Sequence, residues 1–144
     1  MATIALIGCS KRKSDELTNA KDLYQGALFK LSYQYAHLIA DDSFILSAKY
    51  NVISPYTLIH PYDYCLKDLG RKLRKEWAKN VISNLRVMTT LNTDKYIILA
   101  GKNYYEFLLP YLPNYEVPMM RLGIGEQLKF LKQAIKALEK PNAS

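Results

Sequence analysis

The chain predicts a three-layer α/β domain in which a small, mostly parallel sheet is flanked by helices. Three observations carry this. Apolar runs of strand length recur at residues 3–8, 44–48 and 95–100. The segments between them repeat apolar residues every three or four positions, which is the helical period. The 144-residue length and 49% hydrophobic content suit one packed domain with a core of its own.

Each element follows from local pattern. Thr3-Ile4-Ala5-Leu6-Ile7-Gly8 reads as a buried first strand. It is too short for a membrane span, and charges follow it at once. Residues 9–20 are polar. Leu28, Leu31, Tyr35, Leu38 and Ile39 then mark a helix that stops at the Asp41-Asp42-Ser43 turn. Residues 44–48 form the second strand. Residues 49–65 show no period but are rich in Tyr, Pro and Asn, as in a functional loop rather than a disordered one. Leu66, Leu69, Leu73, Trp77, Val81 and Leu85 share one face of a long helix over 66–88. Residues 95–100 make the third strand, and 103–109 a short helix ending at Pro110. Val117-Pro118-Met119-Met120 is a candidate fourth strand, and Pro118 places it at an edge. A closing helix over 125–139 turns Leu128, Leu131, Ile135 and Leu138 inward.

Strands alternating with helices imply crossover connections and a Rossmann-like architecture. Residues 1–140 are read as one domain and 141–144 as a short C-terminal tail. No apolar run is long enough to cross a bilayer, so no membrane partner is expected. Cys9 and Cys65 form neither a disulfide framework nor a metal-ligand spacing. The expectation is a cytoplasmic protein with no cofactor and no metal.

In such sheets ligands bind beyond the carboxyl ends of the strands, which gathers the loops after residues 8, 47 and 100 at one rim. The first of these, Cys9-Ser10-Lys11-Arg12-Lys13, combines hydroxyl and cationic donors, as a phosphate requires. It is not a P-loop, because the G-x-x-x-x-G-K-[ST] pattern is absent. Ser10, Lys11 and Lys13 are candidate ligand-binding residues, with a solvated basic turn as the plainer reading. Cys9 is either a nucleophile favoured by neighbouring cations or a small apolar group at a strand end. Ser47-Ala48-Lys49-Tyr50 repeats the pairing of hydroxyl and cation at the second strand's end. In Pro61-Tyr62-Asp63-Tyr64 a carboxylate lies between two phenols. Asp63 is a candidate general base or stabiliser of a sugar cation, or else the cap of the helix near Leu66. Asp22 carries the same two readings at the first helix. Tyr24, Tyr50 and Tyr62 can clamp a base or sugar by stacking.

The net charge of +7 favours phosphate-bearing partners. Most of the surplus lies in residues 66–88, where seven basic side chains stand against two acidic ones. Lys67, Arg71, Arg74 and Lys75 fall on one face, either as a nucleic-acid-binding stripe or as a solvated surface.

The ordered pattern Cys9-Ser10-Lys11-Arg12-Lys13, Asp22-Leu23-Tyr24-Gln25-Gly26, Leu46-Ser47-Ala48-Lys49-Tyr50, Pro55, Pro61-Tyr62-Asp63 and Gly123-Ile124-Gly125-Glu126-Gln127 resembles a family of small uncharacterised bacterial and phage domains. These are similar to the YaaA-like peroxide-stress proteins. The resemblance implies an α/β fold and a link to DNA, and a more distant likeness to archaeal tRNA base-modification domains suggests chemistry on a nucleobase. The family has Gly where this chain has Asn51, a residue that also tolerates a left-handed backbone. YaaA-type sequences keep a lysine matching Lys11 but neither Cys9 nor Asp63. The resulting expectation is a nucleic-acid- or nucleotide-directed protein acting at a nucleobase or N-glycosidic bond, with Asp63, Lys49 and Asp22 as catalytic candidates. The alternatives are a non-catalytic DNA-binding module and a nucleotide-sequestering protein. DNA or a nucleotide is the expected partner, and protein partners are left open.

Overall fold

The computed structural model describes residues 1–9 and 13–139. Ser10, Lys11, Arg12 and the tail lie outside the described residues.

The central sheet has the order β4-β3-β1-β6-β7. Its strands are β1 (Thr3–Gly8), β3 (Asp42–Ser47), β4 (Asn51–Ile53), β6 (Lys95–Leu99) and β7 (Tyr115–Glu116). β1 pairs in parallel with β3 and β6, β6 pairs in parallel with β7, and only β4 is antiparallel. The register aligns Leu6 with Phe44 and Ile98, and Ile7 with Ile45 and Leu99. Alternate residues therefore feed opposite faces. Ile4, Leu6, Leu46 and Ile98 pack on α3 (Arg71–Met88) and the segment after α4 (Lys102–Tyr105). Ala5, Ile7, Ile45 and Leu99 meet α2 (Ala27–Ile39) and α5 (Ile124–Glu139). This is the three-layer, Rossmann-like arrangement, and burial on both faces explains the unbroken apolar runs.

Four local features differ from the pattern reading. The long helix does not start at Leu66. A 3-10 turn, Leu66–Asp68, comes first, and α3 begins only after Gly70, whose extended backbone caps it. Asp68, not Asp63, completes that turn by accepting the Cys65 N–H at 3.1 Å. Lys67 is thus off α3, and Leu73 is 51% exposed. Residues 49–65 are not irregular throughout. β4 closes a hairpin on β3, and β5 (Leu58–Ile59) pairs antiparallel with β2 (Thr18–Asn19). Strands of two or three residues are too short to show a period. The last edge strand is Tyr115–Glu116, while residues 117–120 form a turn closed by Met120 N–H to Val117 O. Pro118 has no N–H to give to a ladder. Finally, α4 is a single turn, and Pro110 sits in a separate 3-10 turn, Leu109–Tyr111.

Backbone chemistry is specific at three places. Asn51 adopts φ 66°, the left-handed conformation needed to reverse the chain between β3 and β4. Asp94 is buried and accepts the Ala2 and Thr90 N–H groups at 2.9 and 2.8 Å, which hold its carboxyl below the usual carboxylate range. Gly8 is needed for proximity rather than for an unusual backbone angle. A Cβ there would lie 3.0 Å from the Ala100 Cβ. Gly8→Ala is therefore expected to destabilise the fold by about 1–3 kcal/mol, the usual cost of overpacking. Ala100→Gly should recover most of the loss in the double variant. Urea denaturation of the four proteins checks this, and an unaltered midpoint in Gly8→Ala would refute the close-approach explanation.

Candidate functional site

At the carboxyl end of β3 three hydroxyls close on one another. Tyr24 O–H donates to Ser47 Oγ at 3.2 Å, and the Tyr62 hydroxyl lies 2.7 Å from that of Tyr24 and 2.9 Å from Ser47 Oγ. Each hydroxyl has one proton. With Tyr24 donating to Ser47, Tyr62 must donate to Tyr24 and Ser47 to Tyr62, a closed ring. Ser47 Oγ also accepts the Tyr50 N–H at 3.1 Å. Burial raises the Tyr24 and Tyr62 phenols far above the ordinary range, so both are neutral donors and not bases.

The surrounding cations and rings build on this ring. The Lys13 Nζ lies 4.4 Å from the Tyr62 ring centroid, and the Lys13 backbone bridges to Tyr24. Tyr50 packs edge-on against Tyr62 at 5.7 Å and donates its hydroxyl to His60 O. The Lys49 ammonium sits over the Tyr50 ring at 5.2 Å. Five sequence candidates thus meet in one assembly: Lys13, Tyr24, Ser47, Tyr50 and Tyr62, with Lys49 on its edge.

Cys9 lies at the neighbouring strand end. Its N–H donates to Leu46 O at 3.0 Å, and its Sγ is 3.1 Å from the Tyr104 hydroxyl. Burial, reinforced by the adjacent thiol, raises the Tyr104 phenol. Tyr104 in turn packs edge-on against Trp77, whose indole N–H donates to Ser47 O at 2.8 Å. Cys9 and Ser47 are thereby tied into one polar seam across the sheet.

Next to this seam, between the carboxyl ends of β1 and β6, is a cavity of about 260 Å³. Here the connections of adjacent strands depart in opposite directions, from β1 toward β3 and from β6 toward β7. Doubly wound sheets open a ligand crevice at such a point. Gly8, Cys9 and Leu99 form its floor, Leu28, Phe29 and Ser32 of α2 one wall, and Gly101, Tyr104, Met119 and Gln127 the other. Phe29, Ser32, Tyr104, Met119 and Gln127 escaped the sequence reading because each resembles an ordinary helix or turn residue. The usable signal was Gly101-Lys102-Asn103, already placed at the rim by its position after a strand.

The remaining candidates lie elsewhere. Asp63 is exposed and makes no hydrogen bond or ion pair with the described residues. Asp22 pairs with Lys21 at 3.1 Å. It also adds to the effects of burial and of a Tyr56 hydrogen bond that push the Tyr33 phenol up to about 12. Asp63, Lys49 and Asp22 are all outside the lining of the β1–β6 cavity. Ser10 and Lys11 fall outside the described residues. Among the basic candidates, Arg71, Arg74 and Lys75 surround the Phe107 ring at 5.2, 5.6 and 5.5 Å, whereas Lys67 is on the preceding 3-10 turn. No cluster of three or more His, Cys, Asp or Glu side chains able to hold a metal occurs among the described residues. Nor is any helix there long and apolar enough to cross a membrane.

Ser47→Ala removes the acceptor shared by Tyr24 and the Tyr50 amide, and is expected to cost about 1–3 kcal/mol. Tyr62→Phe should cost less, since Tyr24 and Ser47 remain bonded to each other. Limited proteolysis within residues 49–65 should accelerate in both, and equal stability of Ser47→Ala and the native chain would contradict the ring's structural role.

A search of curated proteins gives no match, and neither does a search of solved structures. The profile of one family, described as a family of unknown function (DUF6884), matches residues 4–133. That span contains every described strand save Thr3 at the start of β1, the hydroxyl ring and the whole lining of the cavity, and the chain belongs to this family.

Proposed function

We propose that the protein binds a nucleotide, free or within nucleic acid, with the base in the crevice between β1 and β6. The carrying observation is the cavity at the switch point of the sheet. Phe29, Leu28, Leu99 and Met119 offer apolar surface to the faces of a ring. Ser32, Gln127, Tyr104 and Cys9 offer polar atoms to its edges. The volume is below the roughly 300–1,000 Å³ typical of pockets for larger ligands, which suits one base rather than a dinucleotide. The basic composition of the loop after β1 and the likeness to YaaA-like domains support the same reading. Attack on an N-glycosidic bond needs a carboxylate against the sugar. The lining of the base cavity offers apolar surface and hydrogen-bonding groups and contains no Asp or Glu among the described residues, which supports binding of the base there.

A second reading rests on a separate observation. Arg71, Arg74 and Lys75 crowd one aromatic ring, and Arg74 is additionally held by Asn103 at 3.2 Å and Glu106 at 3.4 Å. An ordered basic group of this kind suits a nucleic-acid backbone.

Two outcomes follow. Gly101 has open space around a would-be Cβ, so Gly101→Leu should fold normally while filling the crevice mouth. The single tryptophan, Trp77, touches Tyr104 of the cavity wall and should report nucleoside binding by fluorescence in the native chain but not in Gly101→Leu. Absence of any signal with all common nucleosides and nucleotides would end the reading. For the basic group, Arg71→Ala and Lys75→Ala should each reduce the salt slope of duplex binding by about 1. Arg74→Ala should change it less, because Glu106 already offsets that charge. Salt-independent binding would exclude this surface.

A further inference from the structure

The crevice continues past Gly101. A second basin of about 400 Å³ opens on its outer side, and Ala100, Gly101, Met119 and Gln127 line both compartments. The two differ in charge. The inner lining has no charged side chain among the described residues, whereas the outer one carries Lys102 from the start of α4 and Arg121 from the turn before α5.

These cations have no assigned task within the fold. Lys21, Arg74 and Lys95 are each paired with a carboxylate, at 3.1, 3.4 and 2.9 Å. Lys102 and Arg121 make no ion pair or side-chain hydrogen bond among the described residues, and both are exposed. They come from different elements, and both line the basin. The turn carrying Arg121 is shaped by Met120 N–H to Val117 O and Leu122 N–H to Met119 O, both 3.1 Å, and leaves Arg121 at φ 69°. The Gln127 amide between the compartments is fixed by donation to Leu122 O at 2.7 Å.

We infer that Lys102 and Arg121 hold the phosphate of a ligand whose base occupies the inner compartment, so that the site selects a nucleoside phosphate monoester over the bare nucleoside. This rests on the base-binding reading above and adds the orientation and the charged end of the ligand. An apolar slot joined to a basin with two unpaired cations matches a molecule with a flat apolar end and a compact dianion at the other. A phosphate monoester carries a charge of about −1.5 to −2 near neutrality, which two cations lining one basin complement. The Glu126 carboxylate comes within 3.9 Å of where a Cβ on Gly123, a residue of the basin lining, would lie, and a charge so placed opposes that anion.

Calorimetric titration of the full chain with the common nucleosides, their monophosphates and inorganic phosphate tests the assignment. The favoured monophosphate is expected to bind roughly tenfold or more tightly than its nucleoside, as a charge-assisted hydrogen bond provides. Lys102→Gln combined with Arg121→Asn, in which Asn keeps the left-handed backbone accessible, should erase that advantage and leave nucleoside affinity unchanged. Glu126→Gln should strengthen monophosphate binding only. Equal affinity of the native chain for nucleoside and monophosphate would overturn the phosphate assignment while leaving base binding intact. So would variants that weaken both ligands alike. If neither ligand class binds, both readings fall. A short single strand with a terminal phosphate distinguishes the sources: affinity equal to the free monophosphate assigns the site to strand ends, and loss of affinity assigns it to free mononucleotides.

Discussion

Three hydroxyl protons shared among Tyr24, Ser47 and Tyr62 hold the carboxyl rim of this sheet together. Tyr24 comes from the segment that leads out of the basic loop, Ser47 from the end of β3 and Tyr62 from the middle of the following loop. A buried hydroxyl left unpaired is costly, so each segment can sit in its place only if the other two do. The ring thereby converts burial into register. It fixes the start of α2 through Tyr24, the β3–β4 hairpin through the Tyr50 amide on Ser47, and residues 49–65 through Tyr62.

The same rim concentrates positive potential. In the crossover layout α2, α4 and α5 begin at the carboxyl ends of the strands, and their first turns border the cavities between β1, β6 and the outer basin. Helix N-termini carry partial positive charge, which adds to the lysines and arginines placed there. Acidic groups are differently disposed. Asp41 and Asp94 satisfy backbone N–H groups at the opposite end of β1, and Glu116 pairs with Lys95 at the start of β6. Asp41 and Asp94 thus lie at the end of β1 away from the site.

The paired lengths differ across this framework, and local stability follows them. β1, β3 and β6 have five or six residues each and are buried on both faces. β2 and β5 contribute two residues apiece, and Leu58 on β5 is exposed. Elements with few buried contacts open first, so the β2–β5 pair is expected to exchange its amide protons before β1, β3 and β6 do.

The residue pattern alone determined the three long strands of the sheet and the layers that cover it. Strands buried on both faces are written as unbroken apolar runs, and helices packed on one face as a three-or-four spacing, so each element carries its own record of burial. It also placed Lys13, Ser47 and Tyr50 at one rim, in loops that follow strands, and offered Tyr24 and Tyr62 as ring clamps without fixing where they meet. Only the tertiary structure decided which of these groups bond to each other, that Asp68 rather than Asp63 finishes the turn before α3, and that the cavity is walled by Phe29, Ser32, Tyr104 and Gln127. The reason is that periodicity reports how one element meets the core, whereas a cavity is the space left between elements distant in sequence. Gly8 shows the limit most directly: as a residue type it announces a permissive backbone, yet what it supplies is clearance for Ala100, more than ninety positions away, and that is set by the packing of β1 against β6.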